Sequence, residues 1–211
     1  MELCDKYLHD CIKISPSMND FLKYEKYKHL RHIQKNFFKE EYDKKFNKLF
    51  TKYLDLINRK KHLTFYDKIL KRGLTYSKRI DRIKFTEFLP LSSLENFYYN
   101  VPSLIQGDMY FDIKTKKDIE DLINRFKIIP DMTETVITRM RKGIQKGITM
   151  YKGNLDILIE NLQNILKSRS YVFKKNITYK KKFNEIIEKY YVESVKKLLL
   201  FLLSEYYPHA S

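Results

Sequence analysis

Apolar residues in this chain recur at intervals of three and four, and no stretch alternates convincingly enough for a strand. That period commits the backbone to helices that bury one face each, and so to helix-on-helix packing. Tyr42, Phe46, Leu49, Phe50, Tyr53, Leu54 and Ile57 show it most plainly and predict an amphipathic helix. An earlier helical stretch starts at Phe21, Tyr24, Tyr27 and Lys28, with Asn19 or Asp20 as its N-cap. A short helix is expected from His62 to Arg72, ended by Gly73.

Downstream, Thr115-Lys-Lys-Asp118 has the hydroxyl-then-acid spacing that satisfies free N–H groups at a helix start. Its helix turns Ile119, Leu122, Ile123 and Phe126 inward and stops before Pro130. Asp131-Met-Thr-Glu134 opens the next, which carries Val136, Ile137, Met140 and Ile144 and is weakened or ended at Gly143 and Gly147. Asn154 caps a helix striped by Leu155, Leu158, Ile159, Leu162, Ile165 and Leu166. After the basic break from Lys167 to Lys175, a long last helix starts near Thr178 and is striped by Phe183, Ile187, Tyr190, Val195, Leu198 and Leu202. Between Phe85 and Asp112 the periodicity stops, and Pro90, Pro102 and Gly107 punctuate the stretch. The expectation is an irregular all-α fold of about six to eight helices, with a long ordered loop near residues 85–112. An N-terminal helical region, 1–84, precedes a second, 85–211.

The net charge of +16 over 211 residues invites a nucleic-acid partner. A duller cause precedes it. Ala, Gly, Pro, Arg and Trp, which lean on G- and C-rich codons, are scarce, whereas Lys, Asn, Ile, Tyr and Phe are plentiful. An AT-rich genome writes Lys by default at surface positions, where it is a fair helix former. Residues 91–166 carry ten basic and ten acidic groups, so the excess belongs to the flanks. The mixture of rings and cations over Lys23–Phe46 resembles single-strand binders, but its three-and-four spacing favours a core face with a solvated lysine face.

Cys4 and Cys11 are too few for a secreted disulfide scaffold. Cys4, His9 and Cys11 lack a fourth metal ligand, and His29 with His32, three apart, needs ligands from elsewhere. No His is followed by Glu, and no phosphate-loop or nucleophile-elbow pattern occurs. The longest apolar run, Leu198–Leu203, is far short of a membrane span, and no signal sequence is visible, so a cytoplasmic location is expected and no membrane partner. Three of only nine arginines, Arg125, Arg139 and Arg141, fall close together where Lys is the default, which points to fork-shaped hydrogen bonding with carboxylates.

One segment goes further. Phe88-Leu-Pro90-Leu-Ser92-Ser93-Leu-Glu95-Asn96-Phe97, then Thr115 to Asp118 with Arg125 and Pro130, then Arg141-Lys-Gly143-Ile-Gln-Lys-Gly147, and finally Glu205-Tyr206-Tyr207-Pro208, follow one another in order. This series resembles the family called domain of unknown function 885, with Ser93, Glu95, Asn96, Asp118, Arg125, Pro130, Arg139, Arg141, Gly143 and Gly147 at motif positions read as structural. Met150-Tyr151-Lys152 stands where that family often has a proline.

The resemblance implies a helical, metallopeptidase-like protein longer than this chain. Its zinc would sit in a C-terminal half with an H-E-x-x-P-G-H type motif, which nothing here matches. The expectation is therefore an N-terminal, non-catalytic half: one wall of a cleft for a peptide-like substrate, with no catalytic, metal or cofactor residue of its own. It would dock on the missing half or a second chain through an exposed apolar patch around 85–112, and would arise from a truncated gene, a split frame or a partial chain. The alternatives are a basic helical nucleic-acid-binding protein of an AT-rich virus or microbe, and a decaying gene fragment.

Overall fold

The computed structural model describes residues 3–83, 88–94, 96–107, 111, 113–174 and 179–211, without the side chains of 80–83. Among the described residues there are helices and no strand. The order is α1 (Leu3–Ile14), a short α2 (Asn19–Leu22), a 3₁₀ turn (Glu25–Leu30), α3 (Glu40–Asn58) and α4 (Phe65–Ile83). Then come α5 (Phe97–Gln106), α6 (Lys116–Phe126), α7 (Ile129–Lys146), α8 (Lys152–Ser168), α9 (Lys180–Ile187) and α10 (Glu193–Phe201). π turns at Glu188–Val192 and Leu202–Tyr206 make α9, α10 and the closing Tyr207–His209 turn one continuous helix. Buried Ile187, Tyr191 and Val195 follow at steps of four. Steps of four walk off the face of a regular α-helix, and a wide turn brings them back.

Two apolar clusters hold these elements. In the smaller, Cys11, Leu49, Tyr53, Ile57 and Leu74 join α1, α3 and α4. The larger runs from Leu91 to Tyr206 through α5–α10 and takes in Phe38 from the connection before α3. The predicted helix at Phe21–Lys28 does not form as one piece. Lys23 adopts a left-handed φ of 56°, and Asn19 turns its side chain onto Tyr24, accepting from the backbone N–H at 2.9 Å and donating to the carbonyl at 3.1 Å. Gly73 does not end a helix either. α4 continues to Ile83, because Leu70 and Leu74 still pack on α1 and α3. The expected start near Thr178 lies outside the described residues.

The segment 85–112 is not loop throughout. α5 lies at its centre, capped by Asn96, whose side chain accepts from the Tyr98 N–H, and closed by left-handed Gly107. Pro102 hides this helix from a periodicity reading. Lacking an N–H, it cannot bond the carbonyl four residues back, that of Tyr98. The Tyr191 hydroxyl donates to that carbonyl instead, at 2.7 Å. The Tyr98 hydroxyl lies 2.7 Å from Thr133 Oγ1, so both buried tyrosines have polar partners.

Thr115 and Asp118 form the reciprocal cap expected of them. Pro130 sits in the first turn of α7, where a missing N–H costs nothing. α7 ends in a fold-back in which Ile148 N–H bonds Gly143 C=O and Gly147 N–H bonds Ile144 C=O, with Gly147 at φ 67°. The returning chain crosses so closely that a Cβ on Gly143 would meet Ile148 O at 2.5 Å and Phe88 at 3.3 Å.

Three glycine substitutions should therefore differ in sign. Gly143→Ala is expected to cost about 1–3 kcal/mol by overpacking, and Gly147→Ala about 1 kcal/mol for its positive φ. Gly73→Ala, in mid-helix with nothing within 4 Å, should stabilise by about 0.5–1 kcal/mol. Tyr191→Phe strips the Tyr98 carbonyl of its donor and should cost about 1–3 kcal/mol. Urea unfolding of the four variants checks all of this.

Candidate functional site

The chain between α1 and α3 lies on the large core, and arginines hold it there. Arg125, on α6 and 3% exposed, grips Asp20 with both terminal nitrogens at 2.5 and 3.0 Å. Its Nε donates to the Arg31 carbonyl at 2.6 Å. Arg31 in turn pairs with Asp118. Both guanidinium groups lie against the fully buried Phe111 ring, at 3.7 Å for Arg31 and 4.7 Å for Arg125, a favourable use of a planar cation. Asn36 donates to Asp131 and Thr135, each at 2.9 Å, and accepts from Phe38 N–H at 3.0 Å. Arg139 donates to the Phe38 carbonyl at 2.6 Å and lies 3.5 Å from Asp43. Arg141 forms a two-pronged pair with Glu205, at 2.6 and 2.7 Å, at the surface.

This clamp floors an open cleft of about 660 Å³ between residues 19–31 and the start of α6, with Asp20, Lys28, His29, Lys117, Asp118 and Asp121 in its walls. Burial pushes the Asp118 carboxyl up. The Lys114 and Thr115 N–H groups, the Thr115 hydroxyl and the Arg31 cation outweigh burial and hold it below its ordinary value. Asp131 is held down by Asn36 and Lys39, and Glu205 by Arg141.

A second cleft, about 670 Å³, runs between the non-helical residues Leu89–Ser93 with Asn96 on one side and Thr149–Tyr151 on the other. Phe37, Pro90, Phe97 and Tyr151 give it apolar walls, while Ser93, Asn96 and Asn154 add polar groups. Asn96 is spent on its own helix, donating also to the Ser92 carbonyl at 2.9 Å. Ser93 is buried, and its carbonyl accepts from Tyr99 at 3.3 Å. Tyr151 in the cleft wall is 66% exposed, and Leu94, next in the chain to the lining residue Ser93, is 80% exposed, an apolar side chain on the described surface of 85–112.

Nine of the ten motif positions thus fall in three places. Ser93 and Asn96 line the apolar cleft, with Gly143 packed against Phe88 nearby. Asp118 and Arg125 form the clamp, and Arg139, Arg141, Pro130 and Gly147 fix α7 and its ends. Glu95 lies outside the described residues. The sequence offered Asp20 only as a helix cap and gave Arg31, Asn36 and Phe111 no site role. The rarity of arginine applied at position 31 as well would have found one of them.

The residues present do not fit a zinc ion. Among the described residues no group of three His, Cys, Asp or Glu is arranged to hold a metal. His9 Nε2 lies 2.9 Å from the Lys26 ammonium, and burial pushes the Cys11 thiol up to about 11, away from thiolate chemistry. His29 and His32 are exposed. No helix among the described residues is long and apolar enough to cross a membrane.

The family described as "Bacterial protein of unknown function (DUF885)" matches residues 24–211. No curated protein and no solved structure matches the chain.

Arg125→Ala strands the Asp20 carboxylate and should cost about 3–5 kcal/mol in urea unfolding, with Arg125→Lys in between, since it keeps the charge and loses the fork. Asp118 gives a pH signature. Its carboxyl takes up a proton near pH ~4 in the unfolded chain and at a lower pH in the folded one. The stabilisation is complete above the unfolded value and is lost as pH falls through the folded value. Asp118→Asn should flatten that acid limb of the stability curve.

Proposed function

Because the chain belongs to the DUF885 family over residues 24–211, we propose that it forms one wall of a substrate cleft in a helical, metallopeptidase-like protein and is not a hydrolase by itself. The observation that carries this reading is the apolar cleft beside Leu89–Ser93. A non-helical backbone stretch, rings on both sides and a few polar groups are what an extended peptide needs for its side chains and its register. The clamp supports the same reading, because rigid walls position a substrate better than mobile ones. The absence of any His-Glu pair from the sequence supports a division of labour, in which metal and activated water are supplied by a separate segment or a second chain.

The exposed Tyr151 of the cleft wall and Leu94, next in the chain to Ser93, are where that second part would dock, covering apolar surface that otherwise stays in water. The same contact would then narrow the cleft around the peptide.

Two measurements test this. The purified chain with unblocked peptides and added zinc should release no product. Hydrolysis that a chelator abolishes would refute the non-catalytic part. Fluorescence anisotropy with labelled extended peptides should show weak binding, at about millimolar to micromolar level, that Tyr151→Ala lowers several-fold. Binding indifferent to Tyr151 and to Leu94→Ser would remove the cleft from the argument.

A further inference from the structure

α4 has two apolar faces, and only one of them is covered. The covered face is set at the helix start. Asp67, 2% exposed, accepts from the Thr64 N–H at 3.0 Å and the Thr64 hydroxyl at 2.9 Å, and from Lys60 Nζ at 2.7 and 2.8 Å. Leu70 and Leu74 follow it into the small core. With the register so fixed, the opposite face must look outward. There Phe65 is 70% exposed, Ile69 53% and Tyr76 66%. Arg72 and Arg79 continue the row, so the positions 65, 69, 72, 76 and 79 step by four, three, four and three. That spacing is the seam by which one helix packs along another, and over 14 steps it extends about 21 Å. A shallow groove already runs along it, lined by Phe65, Lys68, Ile69, Arg72, Tyr76 and Arg79. Asp67 is the acidic side chain described on this helix, and it faces the other way.

We propose that this outer face of α4 is a docking seam for an acidic amphipathic helix of a partner protein, with apolar residues against Phe65, Ile69 and Tyr76 and carboxylates against Arg72, Arg79 and Lys68. Charge selects this occupant. A second copy of α4 would bring Arg72 and Arg79 against like charges in the same seam. A lipid surface calls for apolar residues below and cations beside them, whereas Arg72 lies along the helix between Ile69 and Tyr76. A single nucleic-acid strand calls for rings at successive bases; here Phe65 and Tyr76 are 11 steps and about 16 Å apart, with an aliphatic residue between. A carboxylate helix meets both demands, since guanidinium groups form paired bonds with carboxylates and the short apolar stripe fills a knobs-and-holes seam.

The test uses the full chain and two synthetic helical peptides, identical in their apolar row, one with Glu and one with Lys at the positions facing Arg72, Arg79 and Lys68. Fluorescence anisotropy should show the Glu peptide binding at least ten-fold tighter than the Lys peptide, with the difference reduced at high salt. Ile69→Asp and Arg72→Glu should each lower Glu-peptide binding ten-fold or more, and circular dichroism should show an unchanged fold because both side chains are exposed. Arg72→Glu should in turn improve binding of the Lys peptide. Equal binding of the two peptides, or binding that ignores both substitutions, overturns the proposal. So does stronger, Ile69-dependent binding to vesicles with anionic lipid or to an oligothymidine strand, which would reassign the face to lipid or to nucleic acid.

Discussion

One buried guanidinium decides how the two halves of the chain meet. Arg125 is carried by α6, whose Leu122 and Phe126 belong to the large core, yet its bonds go to Asp20 and to the backbone of Arg31, about a hundred residues upstream. A cation at that depth is tolerable only with its charge matched and its donors used. The N-terminal connection must therefore run over Phe111 along one path. Arg31 follows from that path, because it can reach both the ring and Asp118. Once Asp20 and Arg31 are held, Asn36 and Phe38 reach α7 and the start of α3 is in place. Neither apolar cluster alone specifies this arrangement, since packing is less directional than a two-pronged hydrogen bond.

The division between the basic residue types fits that picture. Where lysines pair with carboxylates, most do so at the surface, as Lys44 with Glu40 and Lys196 with Glu193, and such pairs contribute little. Arg31, Arg125 and Arg139 carry long-range contacts, and each bonds a backbone carbonyl or a shielded carboxylate. The charge of +16 is therefore two populations: a solvated majority with little structural consequence and a few fork-shaped cations that define tertiary paths.

How legible this was in the sequence varies from element to element. The Thr115–Asp118 cap, the stripes of α3, α7 and α8 and the helical class could be read, because local periodicity and capping chemistry determine them. The Gly143–Gly147 spacing was visible, but its reason was not. That reason is the return of Ile148 over the helix end, a tertiary approach with no local signature. α5 was obscured because Pro102 weakens a helix that a distant tyrosine repairs. The 21–28 stretch misled because Asn19 competes for its backbone. Of the clamp, Arg125 was recognisable by rarity, whereas Asp20 looks in the sequence like any cap residue. Long-range partners are set by topology, which spacing does not encode.

The repair of α5 also bears on the order in which the chain can be made. Tyr98 waits for a hydroxyl 93 positions further along. Until the last helix has emerged and docked, a newly synthesised chain holds α5 with a carbonyl that only water can satisfy. Synthesis therefore delivers α6, α7 and α8 before the element that completes their neighbour. A chain that stops short of Tyr191 would leave α5 without that donor and the large core without its last helix.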